Sequence, residues 1–527
     1  MLKITDIAAP IGFDEEKLRE LIAKKLGCKA SEIKKITLLK RAIDARKKQN
    51  IHYTLTAAAE VENEEKYIRR NNPAVSKHIP YIERNYAKVT LPFRPVVVGS
   101  GPAGLFAALT LAKAGTEPIL LERGMDVDAR TRSVKGFWQG GRLAPDCNVQ
   151  FGEGGAGTFS DGKLTTGTKD ARIAVVFNEF VKHGAPEEIL YNAKPHIGTD
   201  RLVSVVKNIR EQIKSLGGTV LFGAKVTDLL INGGKVSGVV YKKDDEEKEI
   251  ATDRVILAIG HSARDTFEML NNKSVVMSQK SFAVGVRIEH LQCRLNASMY
   301  GKTTDRLPPA DYKLFVHLPS GRTLYTFCMC PGGQVVAAAS EENTVVTNGM
   351  SLFARDGRNA NSALLVNVTP EDFGSGHVLA GVEFQRKIEQ AAFIAGGKSY
   401  AAPISLVGDF LDGKLSDRLG EVEPTYAPAT AFARPESYLP SFVTDAMREG
   451  LPVFAKKIAC FGDRDAVLTG AETRSSSPVR INRDESLQSV GLQGLYPCGE
   501  GAGYAGGIVS AAVDGIRCAE AILGLNE

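Results

Sequence analysis

Cysteine is sparse and scattered. There are eight in 527 residues, with no CxxC pair and no Cys/His spacing of the kind that holds zinc. No disulfide framework or structural metal is therefore expected, and a chain this long can bury a large core without either. Free thiols fit a reducing compartment. The opening MLKITDIAAPIGFDEEKL lacks the basic-then-apolar order of a secretory signal, so the expected location is the cytoplasm. No apolar run is long enough to span a bilayer. An excess of one charge is lacking too: 66 basic residues nearly balance 61 acidic ones. The formal +5 is too mild to argue for a nucleic-acid partner. Tryptophan occurs once, at Trp138, and no internal repeat is evident. At 43% hydrophobic and 24% charged, the chain is an ordinary globular one with room for about three domains.

Residues 1–93 read as a small α+β domain. Leu2–Ile7, Ile36–Leu39 and Ile51–Ala59 are expected strands. Asp14–Leu26 is an expected helix, with Leu18, Leu21, Ile22 and Leu26 on one face. The basic stretch KRAIDARKK, residues 40–48, is either a solvated hairpin tip or an anion or RNA contact. The tip is favoured because no aromatic stacking platform accompanies the charges. Asn71 to Pro80 reads as an irregular connection.

The pattern changes at Arg94-Pro-Val-Val-Val-Gly99, a short buried strand. A helix follows from Pro102, Gly115 ends it, and Ile119–Leu121 is the next strand. Such a βαβ unit spans about 30 residues and carries its glycines at the first turn. GxGxxG alone is weak, but here strand, helix and terminal acid are all in place. Gly99 permits the tight turn, Gly101 lets backbone approach a pyrophosphate, and Gly104 lets the helix pack on the strand. The helix N-terminus offers free N–H groups to the phosphates. Glu122, roughly 20 residues on, can accept from a ribose 2′-OH. Further along, residues 125–170 are rich in glycine and polar groups. Thr199 or Asp200 can cap a helix running to Leu216. Thr219–Phe222, Lys225–Ile231, Val236–Tyr241 and Arg254–Ile259 read as strands. Three of them make an expected meander turning at Gly233-Gly234 and at an acidic tip, Asp244–Glu247. Alternating strands between Phe282 and Val368 precede helices near Val382–Ala395 and Pro440–Ala459.

A second glycine-rich element closes the chain: Gly494-Leu-Tyr-Pro-Cys-Gly499-Glu500-Gly-Ala-Gly503-Tyr-Ala-Gly506-Gly507-Ile508. It reads as a strand, a turn with an acid, and a helix entered through glycines. Here the sequence resembles the two-dinucleotide-binding-fold flavoproteins, in which a C-terminal strand followed by Gly-Asp binds the ribityl chain and the next helix aims its N-terminus at the isoalloxazine. The resemblance gives these roles to Gly499 and Glu500, and to Gly506, Gly507 and Ile508. Glu500 stands where the pattern has Asp. Val255-Ile-Leu-Ala-Ile-Gly260 is similar to the strand ending in Ala-x-Gly. Lys225-Val226 is similar to the strand start whose backbone contacts adenine. Four segments narrow the resemblance to a bacterial family of FAD-dependent dehydrogenases within the NAD(P)/FAD-dependent oxidoreductases. They are residues 148–163, Lys194–Asp200, Gly260–Asp265 and the C-terminal element. That family implies FAD as cofactor and a small-molecule substrate. No second GxGxxG unit for NAD(P)H is evident, so a nicotinamide donor, if used, would dock transiently at the flavin. The cofactor site so implied holds Gly99, Gly101, Pro102, Ala103, Gly104, Glu122, Arg123, Gly157, Thr158, Ser160, Lys163, Val226, Gly260 and the C-terminal residues named above.

Candidates for chemistry are fewer. The loop GEGGAGTFSDGK, residues 152–163, could cradle phosphates or cover the flavin edge. His261 could shuttle protons and Arg264 could hold an anion, or each could make only a loop hydrogen bond. His196 reads as structural, and Trp138 as core. Cys328 and Cys330, at i and i+2 of a strand, would project together. They could be redox-active, but the motif contains no cation to stabilise a thiolate, so buried packing is favoured, with Phe327 and Met329 on the other face.

The expected fold is α/β: a discontinuous Rossmann-like FAD domain (94–275 and 460–527), an inserted mixed α/β cap (276–459) over the flavin's reactive side, and the N-terminal α+β domain. The expected activity is a flavin oxidoreductase passing electrons between an organic substrate or NAD(P)H and an acceptor. A flavin-dependent RNA-modifying enzyme and a non-catalytic flavin sensor or assembly factor are the alternatives.

Overall fold

The computed structural model describes residues 1–301 and 306–525. At the N-terminus, four strands lie in the order Ile33–Asp44, His52–Val61, Leu2–Pro10, Val75–Lys77, each antiparallel to its neighbour. Helix Glu15–Leu26 buries Leu18, Ile22 and Leu26 against this sheet. Asp14 caps it by accepting from Lys17 N–H at 2.8 Å. Two expectations need correction. The stretch 71–80 is not wholly irregular, because Val75–Lys77 pairs with Leu2–Ile4. The basic stretch is only partly a tip: its strand runs to Asp44, and Arg41 is tied to the main body. Arg41 N–H donates to the Tyr191 carbonyl at 2.6 Å and Arg41 Nε to Asn192 Oδ1 at 3.0 Å.

The nucleotide unit is a five-stranded parallel sheet in the order Leu495–Pro497, Val255–Leu257, Val96–Val98, Ile119–Leu121, Thr219–Leu221. The last strand of the sequence thus pairs beside Val255–Leu257, which draws the two ends of the unit together. Helices Pro102–Lys113 and Ile508–Ile522 pack against each other under this sheet. A Cβ at Gly515 would lie 2.0 Å from the Ala103 carbonyl oxygen, so only glycine allows this approach. The meander is Lys225–Asn232, Lys235–Lys243 and Glu246–Ala251. The expected acidic turn is shorter than the sequence suggests, since Glu246 and Glu247 are already paired. Arg254–Ile259 contributes instead to the parallel sheet. Helix Val127–Trp138 lies within the glycine- and polar-rich stretch 125–170, and helix Arg172–Lys182 follows it. Helix Thr199–Ser215 is capped by neither Thr199 nor Asp200. Its N-cap is Gly198, while Thr199 Oγ1 donates to the Ser160 carbonyl at 2.6 Å and Asp200 accepts from Phe353 N–H at 2.8 Å.

The cap is a seven-stranded sheet in the order Phe315–His317, Thr323–Cys330, Asn359–Val368, Phe282–Leu291, Val467–Glu472, Ala402–Leu406, Thr430–Phe432. Helices Ala380–Ala395 and Ser441–Lys457 fill its core with Ile388, Phe393, Met447 and Phe454. Val467–Glu472 lies between Phe282–Leu291 and Ala402–Leu406. It therefore belongs to the cap sheet, although the sequence division at 460 assigns it to the nucleotide unit. All six of its residues are buried. A continuously buried run identifies a central strand without saying which sheet owns it.

Candidate active site

A cavity of about 640 Å³ lies between the parallel sheet and the cap, within the size range of cofactor sites. At one end, Gly99, Gly101, Pro102 and Ala103 form its wall. Gly101 is the N-cap and Pro102 the first residue of the helix, so the free N–H groups of the first turn are presented at this wall. A Cβ at Gly101 would meet nothing nearer than Gly155 Cα at 3.8 Å and would stand over that turn. Gly104 is not on the wall. Its Cβ would fall 1.8 Å from the Gly99 carbonyl oxygen, so its role is close packing of helix on turn.

Glu122, Arg123 and Val226 line the same end. Glu122 is heavily engaged already. Its Oε2 accepts from Ser100 N–H at 2.8 Å and Ser100 Oγ at 2.7 Å, and its Oε1 from Gly124 N–H at 2.8 Å and Gly152 N–H at 3.0 Å. A ribose hydroxyl would take the place of Ser100 Oγ or add to a full set. Arg123 donates to both Asp265 oxygens at 3.1 and 3.0 Å and lies 4.4 Å over the Phe151 ring.

The glycine-rich loop crosses the middle of the cavity. A Cβ at Gly155 would lie 2.9 Å from Gly101 Cα, and one at Gly157 would lie 3.1 Å from Ile508 Cγ1. The loop therefore touches the start of both helices. Gly157, Ser160 and Lys163 face the cavity. Thr158 does not: it is buried, and its Oγ1 donates to the Glu153 carbonyl at 3.3 Å. The loop is held by a residue the sequence reading missed, Arg130, which is fully buried. Its guanidinium donates to the carbonyls of Asn148 at 2.9 Å, Val149 at 3.0 Å, Gly152 at 3.2 Å and Glu153 at 2.6 Å. An arginine on an amphipathic helix, with Arg132 two positions on, carries no signal of such a clamp. Trp138 and His196 are structural: Trp138 Nε1 donates to the Ala337 carbonyl at 3.0 Å, and His196 stacks on Phe353 with ring centroids 5.3 Å apart.

At the other end, Gly260, His261, Glu500, Gly506, Gly507 and Ile508 face the cavity. Ile508 opens the helix Ile508–Ile522, so a second helix N-terminus points there. Gly499 lies just behind this wall, its φ of 74° and a Cβ clash of 2.8 Å with Ala103 both calling for glycine. His261 Nδ1 is 3.7 Å from Glu500 Oε1. Burial pushes the Glu500 carboxyl up to about 7, with Lys280 opposing. Burial, aided by the Arg474 and Arg264 charges, pushes the His261 imidazole down to about 3.

Arg264 is not part of the wall, contrary to its candidacy for binding an anion. It is 2% exposed and its Nη1 and Nη2 donate to Glu389 at 2.9 and 2.8 Å, with Glu341 at 2.6 Å from Nη1. Arg474, which does face the cavity, shares Glu389 at 3.0 Å.

Cys328 faces the cavity from the cap, whereas Cys330 is buried behind it. The simple alternation expected of the strand is broken by a bulge between Phe327 and Cys330, with Cys328 at φ 42°. Bulges of this kind re-aim a side chain. Phe327 is consequently exposed rather than packed, and Met329 is buried. The cations missing from the motif arrive from elsewhere: Lys163 from the loop and Arg287 from strand Phe282–Leu291 both act on the two thiols.

Lys163 Nζ and His261 Nε2 are buried polar atoms with no hydrogen-bond partner among the described residues, and both residues line the cavity. Two helix N-termini, a Gly-rich loop and polar groups awaiting partners fit a long ligand with a central diphosphate.

Known protein families match the segments that line most of this cavity. The family described as "FAD-dependent protein, C-terminal domain-like" matches residues 281–475. The family described as "Pyridine nucleotide-disulphide oxidoreductase" matches residues 93–288. A domain family of unknown function matches residues 1–60. An uncharacterized protein of Clostridium beijerinckii is 49% identical over 99% of this chain and 98% of its own. Among solved structures, a flavin-dependent brominase is similar at 14% identity and a TM-score of 0.39, covering 83% of this chain and 80% of its own. The glycerol-3-phosphate dehydrogenase of Bacillus halodurans, complexed with FAD, is similar at 12% identity and a TM-score of 0.36, covering 82% and 66%. No helix among the described residues is long and apolar enough to cross a membrane. With one family of FAD-dependent proteins matching its cap, an oxidoreductase family matching its nucleotide half, and an end-to-end relative, the chain belongs to a family of FAD-dependent oxidoreductases.

Proposed function

We propose that the protein is an FAD-dependent dehydrogenase that takes electrons from a small organic substrate or NAD(P)H and passes them to a separate acceptor. The observation that carries this reading is the continuity of the cavity. One wall runs from Gly101 and Glu122 to Glu500 and Ile508, and the cap residues Cys328, Asn348 and Arg474 face its inner end. In this reading Gly99–Ala103, Glu122 and Val226 would hold the ADP half, the two helix N-termini would hold the diphosphate, and Glu500 with Gly506–Ile508 would hold the ribityl chain and ring. Bound there, FAD supplies two-electron chemistry.

The chain's own residues position and protonate. Arg130 fixes the glycine-rich loop that lines the middle of the cavity. Glu500, whose carboxyl burial pushes up to about 7, gives or takes one proton at the ring end, with His261 Nδ1 3.7 Å away. Arg474, held to Glu389, presents positive charge to an anionic substrate group. The test is anaerobic mixing of the yellow holoprotein with NADH, NADPH and fractionated metabolites while flavin absorbance is followed. Bleaching by one class of donor identifies the electron source. A flavin that dithionite reduces but no metabolic donor does would favour a non-catalytic flavin binder.

A further inference from the structure

We propose that Cys328 and Cys330 form a thiol–disulfide exchange site, with Cys328 as the attacking sulfur and a low-molecular-weight disulfide as its substrate. Three independent placements support it. The bulge in Thr323–Cys330 carries a non-glycine residue at φ 42°, a conformation that persists only where surrounding contacts impose it and that clusters at functional sites. It aims Cys328 into the cavity and leaves Cys330 fully buried directly behind, its thiol donating to the Cys328 carbonyl at 3.3 Å. Around the pair sit two cations supplied by distant segments. Lys163 Nζ has no hydrogen-bond partner among the described residues and lies 3.5 Å from Asp161. Arg287 Nη1 donates to the Cys328 carbonyl at 3.1 Å and lies 4.0 Å from Cys330 Sγ, while Glu472 balances the guanidinium at 2.9 Å.

The electrostatics divide the two sulfurs. A hydrogen bond from Cys330 holds the Cys328 thiol below its ordinary range; burial and Asp161 oppose this, and Lys163 and Arg287 reinforce it. Cys330 is driven the other way by the same hydrogen bond and by burial. The pair therefore titrates as a unit, and the direction of the shifts makes Cys328, the sulfur that faces the cavity, the more acidic of the two. An acidic, cavity-facing attacking sulfur with a protonated thiol behind it is the arrangement exchange requires. Because Cys328 opens into the cavity rather than onto the outer surface, a small disulfide fits better than a folded protein.

The chemistry balances. The Cys328 thiolate attacks one sulfur of the substrate, forming a Cys328–substrate disulfide and releasing the other half as a thiolate. Cys330 then loses its proton to that thiolate and attacks Cys328 Sγ, expelling the second half. The substrate has gained two electrons and is now one thiol and one thiolate; the cysteine pair has lost two electrons and is a disulfide. Return to the dithiol takes two electrons and two protons, which an FAD-dependent oxidoreductase draws from its donor. Only this return rests on the flavin assignment above. The exchange half does not.

The experiment uses flavin-loaded protein without any electron donor, challenged with 4,4′-dithiodipyridine at about pH 5, where ordinary thiols near 8.5 are almost wholly protonated. Intact mass and peptide mapping read the product. Wild type is expected to release two equivalents of thiopyridone, lose two hydrogens and carry no adduct. Cys330→Ser should release one equivalent and keep a stable adduct on Cys328, and Cys328→Ser should show no fast phase. Lys163→Met should slow the Cys328 reaction roughly tenfold, as one unit of thiol pKa implies. Far-UV circular dichroism of each variant checks folding. Labelling of Cys328 no faster than of exposed Cys293 would overturn the proposal, and so would an adduct that persists in wild type. Neither result bears on which donor reduces the flavin.

Discussion

Glu500 Oε1 and His261 Nδ1 stand 3.7 Å apart on the cavity wall, and burial has exchanged their usual behaviour. The carboxyl rises to about 7 and the imidazole falls to about 3. At neutral pH the carboxyl, not the imidazole, is the group that titrates. The rate of flavin reduction plotted against pH should therefore break near 7, and Glu500→Gln should flatten it. A break that survives in Glu500→Gln assigns it to another group.

The same shift has a consequence for the flavin-free protein. Folded Glu500 binds its proton more tightly than the unfolded chain does. Its contribution to stability is therefore fully present below the ordinary value of 4.5 and is lost as pH rises through about 7. Melting temperatures of wild type and Glu500→Gln apoprotein should diverge in the variant's favour between about pH 5 and about pH 8. Parallel curves would mean that the carboxyl is not perturbed.

Arg264 and Glu389 should matter to folding rather than to chemistry. Burial pushes the Glu389 carboxyl up, yet the Arg264 and Arg474 guanidiniums hold it well below the usual range. Removing Arg264 leaves the buried Glu389 carboxylate held by Arg474 and Thr473 only, and losing a charged hydrogen-bond partner typically costs about 1.5–3 kcal/mol. Arg264→Met is expected to lose that much in denaturant unfolding while keeping the flavin spectrum of the folded fraction. An unchanged unfolding midpoint with lost turnover would return Arg264 to the catalytic candidates.

Gly101 and Gly104 should fail in different ways. Gly101→Val has open space around its Cβ and should give a folded, colourless protein, because the side chain stands where a diphosphate would approach the helix. Gly104→Val meets the Gly99 carbonyl and should lose stability, with overpacking alone costing about 1–3 kcal/mol. Retained FAD in folded Gly101→Val would remove the diphosphate from that turn.

Glu122 braces the turn and the glycine-rich loop beside the cavity. With four donors already on its carboxylate, Glu122→Ala leaves buried N–H groups unsatisfied at about 1–3 kcal/mol. Thermal stability of the apoprotein should fall, together with FAD affinity. A loss of affinity with no change in apoprotein stability would make Glu122 a ligand contact only.

The sequence by itself determined the nucleotide unit. Gly99-x-Gly101-x-x-Gly104, the flanking strands and Glu122 are local, because a tight turn and a helix entry depend on residues within one βαβ segment. The C-terminal Gly499–Ile508 element is equally local. What depended on distant chain segments could not be read this way. Arg130 clamps a loop some twenty positions further along, near Asn148–Glu153. Arg264 is neutralised by Glu389 on another helix. Strand Val467–Glu472 chose the cap sheet over the parallel one. Cys328 illustrates the division most clearly. Its motif holds no cation and its strand spacing argues for simple alternation, so the local sequence favours packing. Only the tertiary structure turns Cys328 to the cavity, through a bulge, and brings Lys163 and Arg287, far away in sequence, to act on it. Electrostatic environment and register against a partner strand are properties of what lies across space, and composition along the chain does not encode them.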